Sequence, residues 1–211
     1  MENLDSLYEA ILKGDLTKAI ESTKTAISDE IEPQIIINNY MSKAMEEIGQ
    51  RFEGGKAFVP ELLMSARAMK GALEQLKPAM AGSNSSRLGT VVIGTVKGDL
   101  HDIGKNLVAS MLEGCGFEVI NLGVDISSEK FIHSIKEHNA DILCLSALLT
   151  TTMDYMKSII IALEEEGIRN QVKVMIGGAP VNSSFSDMIR ADGYSSNANS
   201  AVALAKNLMA S

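Results

Sequence analysis

One loop concentrates residues that could do chemistry: Gly94-Thr-Val-Lys-Gly98-Asp99-Leu-His101-Asp102-Ile-Gly104-Lys105-Asn106. It follows an apolar run and opens a helix-like pattern, the usual setting of a phosphate-binding turn. Its glycines fit neither nucleotide template. A dinucleotide turn needs G-x-G-x-x-G, and a mononucleotide loop needs four residues between its glycine and a Gly-Lys pair, then Ser or Thr. Here five residues separate Gly98 from Gly104, and Asn106 follows Lys105. What remains is Asp99-x-His101-x-x-Gly104. A carboxylate near a histidine can accept a hydrogen bond from one ring nitrogen. That fixes the tautomer and raises the basicity of the other nitrogen, as for a metal ligand with its supporting partner. A solvated loop histidine beside helix-capping aspartates is the competing reading.

Three further features favour the ligand. Ser146 ends an apolar run in Ser146-Ala147-Leu148-Leu149-Thr150, which puts a hydroxyl at the same edge as His101. Gly177-Gly178 ends another run, where absent side chains let a bulky group approach the backbone. The order and spacing of the three motifs complete the set. By contrast, His133 and His138 fall on a surface-type helix without metal-site spacing. Cys115 and Cys144 read as small buried residues, and Glu164-Glu165-Glu166 as a solvated helix end.

The elements that must position these residues fall into two groups. Up to about residue 80 the pattern is helical throughout. Leu4, Leu7, Tyr8, Ile11 and Leu12 define one amphipathic stretch, and Leu16, Ala19, Ile20, Thr23 and Ile27 a second. A third runs from Pro33 to Phe52 and stops at Gly54-Gly55; a fourth runs from Pro60 to Leu76. Together they predict a four-helix bundle, residues 1–88 with its linker. Met41, Met45, Met64 and Met69 read as core filler in it rather than a substrate box. From Pro78 to Leu88 the composition is that of a linker.

Residues 89–211 alternate. Strands are expected at Thr90–Val96, Phe117–Leu122, Asp141–Ala147, Val172–Ile176 and Gly193–Ser195. Helices are expected at Ile103–Glu113, Glu129–His138, Met153–Glu166 and Asn199–Met209. That alternation predicts an α/β fold with a five-stranded doubly wound parallel sheet, whose ligands sit beyond the carboxyl ends of its strands.

Composition narrows the functional classes. The 211 residues are 45% hydrophobic and 4% aromatic, and 19 basic against 27 acidic residues give a net charge of −8. An acidic chain poor in aromatics lacks the Lys/Arg-rich face that nucleic acid requires. No apolar run reaches the ~18 residues of a membrane span, and two cysteines make no disulfide framework. No secretory leader is visible, so a soluble, cytoplasmic protein is expected.

The motif set Asp99-x-His101-x-x-Gly104, then Ser146-x-Leu148 about forty residues on, then Gly177-Gly178, resembles the fingerprint of cobalamin-binding proteins. Methionine synthase, base-off mutases and corrinoid methyl-carrier proteins share it. The carriers also have a preceding four-helix bundle, and Phe58-Val59-Pro60-Glu61-Leu62 is similar to the start of their capping helix. The resemblance implies a Rossmann-like domain holding cobalamin or a related corrinoid, its dimethylbenzimidazole arm detached from cobalt. It implies His101 as the lower axial ligand of the cobalt, with Asp99 and then Ser146 as its relay. Gly104 would let the nucleotide arm pass. Leu148, Gly177 and Gly178 would line its slot, and Thr150 joins the cofactor-binding set. The bundle would cover the upper, methyl-bearing face and move aside for transfer.

The implied activity is that of a methyl carrier, not catalytic alone. Its partners would be a methyl-donor:corrinoid methyltransferase, a corrinoid:acceptor methyltransferase with a pterin or thiol acceptor, and a reductive activase. The alternatives are the small subunit of an adenosylcobalamin mutase and a cobalamin-dependent sensor. The bundle and the lack of a basic helix-turn-helix segment count against these.

Overall fold

Parallel strands cannot be joined by tight turns, so a chain of short apolar runs separated by amphipathic segments must cross over between them. The structure, a computed structural model, describes residues 2–80 and 88–210. Residues 81–87 of the expected linker lie outside the described residues. The chain divides into two compact units, Met1–Arg87 with Ser110–Gly116, and Leu88–Ala109 with Phe117–Ser211.

The N-terminal unit contains α1 (Glu2–Leu12), α2 (Leu16–Ser28), α3 (Pro33–Ile36), α4 (Ser42–Glu53) and α5 (Val59–Leu76). Asp15 starts α2 by accepting the Lys18 N–H at 3.0 Å. The third expected helix is continuous, but a π-helical stretch, Ile37–Met41, joins α3 to α4. A bulge of that kind shifts the phase of the buried side chains. It lets both Ile36 and Met41 be fully buried although they lie five residues apart. α1 packs on α2 and α4, and α5 packs on the same two, which closes a four-helix bundle. Met41, Met45 and Met69 lie in its core as expected, whereas Met64 is exposed. The Tyr8 hydroxyl donates to Glu47, which also pairs with Arg51 at 2.5 Å. Burial and the neighbouring carboxylate push the Tyr8 phenol up to about 12.

From Leu88 onward the chain runs β1 (Thr90–Thr95), α6 (Ile103–Gly114), β2 (Glu118–Asn121), α7 (Ser128–His138), β3 (Ile142–Ser146), α8 (Thr150–Met153), α9 (Tyr155–Glu165), β4 (Lys173–Gly177), α10 (Ser183–Ile189), β5 (Gly193–Ser195) and α11 (Ala198–Ala210). All five strands are parallel, in the order β2-β1-β3-β4-β5. Two details differ from the sequence reading. The helix expected over Met153–Glu166 begins earlier and is interrupted at Asp154. A helix unanticipated between the last two strands, α10, starts on Asn182, whose side chain accepts the Phe185 N–H at 2.9 Å. Its two apolar anchors, Phe185 and Ile189, are buried, and it completes the crossover from β4 to β5.

Both faces of the central strands are covered, which is why their sequences are continuous apolar runs. Val92, Leu143, Val174 and Ile176 are buried with Phe131, Met156 and Ile159 from the helices. Among the described residues no helix is long and apolar enough to cross a membrane. Leu143→Ala is expected to lower the unfolding free energy of this unit by about 3 kcal/mol. Urea denaturation would read that loss, and one below about 1 kcal/mol would show that neighbours collapse into the space.

Candidate functional site

The strand order reverses at β1: the chain goes from β1 outward to β2, then back past it to β3. The loops leaving β1 and β3 therefore diverge and leave a crevice at their carboxyl ends. Asp99 and His101 leave β1 there, and Leu148 to Thr152 leave β3.

Asp99 joins the two loops. Its side chain is 0% exposed. Oδ1 accepts the His101 backbone N–H at 3.1 Å and faces His101 Nδ1 at 2.7 Å. Oδ2 accepts the N–H of Leu148 at 2.7 Å and of Leu149 at 3.3 Å, with Thr152 Oγ1 at 2.8 Å. Burial opposes the charge. The bonds from Leu148, the His101 ring, Thr152 and the His101 amide outweigh it and hold the carboxyl well below the usual carboxylate range. An ionised Asp99 keeps a proton on His101 Nδ1, so Nε2 carries the lone pair. The His101 side chain is 51% exposed, and Nε2 has no protein partner among the described residues. Thr95 Oγ1 donates to the His101 carbonyl at 2.8 Å, which fixes the backbone as well as the ring. The arrangement offers one oriented nitrogen donor to a group arriving from outside.

Ser146 stands elsewhere than the relay expected of it. Asp99 is bonded to Thr152 instead, because the turn after β3 brings that hydroxyl back over the carboxylate. Ser146 is paired in register with Thr95 of β1 and Gly177 of β4, and Gly177 with Ser195 of β5. Register partners project to the same face, so these four form a row of small residues across the carboxyl edge of the sheet. Gly177 is tight in that row, since a Cβ there would lie 3.2 Å from the Ser195 carbonyl oxygen. Gly178 is required by the fold itself: φ is +127°, and a Cβ would sit 1.8 Å from the Ala147 carbonyl oxygen. At Gly104 a Cβ would meet nothing within 4 Å, so internal packing gives no reason for a glycine. Leu148 and Thr150 are exposed beside the crevice. Leu100 and Ile103, 72% and 86% exposed, add an apolar lip on the His101 loop.

Beyond Gly104, Lys105 is only 3% exposed and donates at 2.6 Å to both Asn106 Oδ1 and Asn121 Oδ1. Burial pushes its ammonium below the usual lysine value, against the pull of Asp102. Outside a nucleotide template, nothing in the sequence marks Lys105 as a buried lysine. Thr152 is likewise unmarked by the motifs; its one signal is the run Thr150-Thr151-Thr152 one residue after Ser146-x-Leu148. His133 and His138 lie on α7 beside Glu137 and, among the described residues, join no metal-type cluster; both cysteines are buried.

Comparisons with known proteins agree over the whole length. Residues 89–203 match the B12 binding domain family, and a second family of the same description matches residues 4–77. The chain is 46% identical to the dimethylamine corrinoid protein of Methanosarcina barkeri, over 99% of this chain and 98% of the relative. It is similar in structure to a cobalamin-binding protein from Desulfitobacterium hafniense DCB-2, with a TM-score of 0.82 and 33% identity over 97% and 98% of the two chains. It is also similar to a chain of the methanol:cobalamin methyltransferase complex from Methanosarcina barkeri, with a TM-score of 0.83 and 30% identity over 99% of this chain and 80% of that one.

Thr152→Val is expected to cost about 1–2 kcal/mol at neutral pH, because a buried carboxylate loses one donor. Ser146→Ala should stay within about 0.5 kcal/mol of the parent. Equal losses in paired urea titrations would contradict this assignment of Asp99's partners.

Proposed function

Because the chain belongs to the family of corrinoid proteins of methyltransferase systems, we propose that it carries a methyl group between two methyltransferases, with His101 as lower axial ligand of a base-off corrinoid. The bound corrinoid supplies a cobalt centre that takes up and releases methyl groups. The residues present fit such a group. Among the described residues no three metal-binding side chains converge. His101 offers one nitrogen, the donor set of a metal whose other positions are filled by its own macrocycle. Leu100, Ile103, Leu148 and Leu149 give an apolar seat. The row Thr95, Ser146, Gly177 and Ser195 leaves room for a flat aromatic arm, and Gly104 leaves its path open.

Within this reading each side chain has one task. His101 would hold the cobalt through Nε2, with the Nδ1 proton facing Asp99. Asp99 holds that proton, and its charge is fixed by two amides and the Thr152 hydroxyl. The relay is thus His101, Asp99 and Thr152, with Ser146 assigned to the slot.

The carrying observation is the 2.7 Å contact of His101 Nδ1 with a carboxylate that no solvent reaches. The similarity extends through the bundle as well as the sheet, which favours a carrier over the mutase subunit. The first partner is then a substrate:corrinoid methyltransferase. A methylated amine is its leading donor, since the relative 46% identical over nearly the full chain is named for dimethylamine. The second is a corrinoid:acceptor methyltransferase with a pterin or thiol acceptor, and a reductive activase would restore the reduced state.

Adding hydroxocobalamin to the purified protein should change its visible spectrum on binding. His101→Ala should bind at least about tenfold more weakly, the factor that loss of one strong bond gives. A spectrum and affinity indifferent to that change would sink the axial-ligand role. Methyl transfer from dimethylamine, with partner enzymes added, tests the carrier role.

A further inference from the structure

The loop that carries Asp99 and His101 is tied to the loop following β2 by a residue that none of the motifs includes. Asp125 has φ +56°, in the left-handed region that glycine tolerates best and that aspartate tolerates better than most other residues. Its backbone N–H donates to the Asp99 carbonyl oxygen at 3.1 Å. Its Oδ1 accepts the Gly98 N–H at 2.7 Å. The left-handed turn brings amide and carboxylate of one residue to two consecutive residues of the neighbouring loop. Gly98 is itself left-handed, at φ +84°. The surrounding backbone repeats the lacing: Thr95 N–H bonds the Gly123 carbonyl and Ile126 N–H the Thr95 carbonyl, both at 3.0 Å. Glycine would suit this backbone best, and only a side-chain acceptor explains what aspartate adds.

We propose that Asp125 is a positioning residue for the axial histidine: by gripping Gly98 and Asp99 it sets where the Asp99 carboxylate meets His101 Nδ1, and so where Nε2 points. This rests on the reading of His101 as a cobalt ligand, but it acts on the cofactor-free chain. Asp125 touches no reacting atom. It acts through Asp99, whose carboxylate bonds the β3 side and His101 while its backbone carbonyl takes the Asp125 N–H.

Asp125→Gly keeps the backbone conformation and removes the acceptor, Asp125→Asn keeps an acceptor at the same reach, and Asp125→Ala removes the acceptor and strains the turn. Nitrogen-15 NMR of the His101 ring in the cofactor-free protein reads its tautomer directly. The parent and Asp125→Asn should show the Nδ1–H form. Asp125→Gly should lower the ratio of that form to the Nε2–H form by about fivefold, as expected for one lost hydrogen bond. With hydroxocobalamin added and then reduced to Co(II), the EPR splitting from a histidine nitrogen should weaken in Asp125→Gly and return in Asp125→Asn. An unchanged tautomer ratio in Asp125→Gly, or a loss in Asp125→Asn equal to that in glycine, overturns the proposal. If the parent shows no nitrogen splitting, the axial-ligand reading fails, while the tautomer ratio still decides the role of Asp125.

Discussion

The site depends on one buried charge. A carboxylate removed from water costs several kcal/mol unless hydrogen bonds replace its hydration. Asp99 recovers that cost from donors on two different loops: its own β1 loop and the start of the segment after β3. Satisfying the charge therefore holds the two loops together at the point where the sheet changes direction. The same requirement orients His101, whose ring is the one donor of the set that is half in solvent.

The rest of the second unit supports that arrangement by what it omits. Along the carboxyl edge the sheet carries Thr95, Ser146, Gly177 and Ser195, none larger than threonine, although the strands below them are packed with Val, Ile, Leu and Met. Two glycines near this edge, Gly178 after β4 and Gly104 at the start of α6, differ in origin. Gly178 answers to the fold, since its left-handed backbone presses on Ala147. Gly104 answers to nothing inside the protein. A glycine without an internal reason is the better marker of an external group.

Much of this was legible in the sequence, and the exceptions share a cause. Asp99 and His101 are two residues apart, so their pairing needs no knowledge of tertiary structure. Strand identity was legible because both faces are buried and the runs are unbroken. Thr152 was not, because its place beside Asp99 depends on the short helix between Leu149 and Asp154. The relay role of Ser146 is implied by the resemblance alone; in the fold Ser146 stands in register beside Gly177, and Thr152 bonds Asp99. α10 was missed because two apolar anchors in seven residues give too little periodicity to separate helix from loop. The π-helical stretch at Ile37–Met41 was hidden for a related reason: the apolar pattern continues across it with only its phase altered.

The span of Asp99's bonds has a consequence for how the chain folds. Its partners on the far loop lie 49, 50 and 53 residues away, and β1 pairs with β3 only after the β2–α7 excursion has been looped out. Non-local pairing of this kind is slow, and no fragment ending before Leu148 contains the donors that Asp99 needs. A nascent chain therefore acquires an oriented His101 only when its central strands have met. Capture of a cofactor at that nitrogen would be confined to chains whose β1 and β3 have already paired.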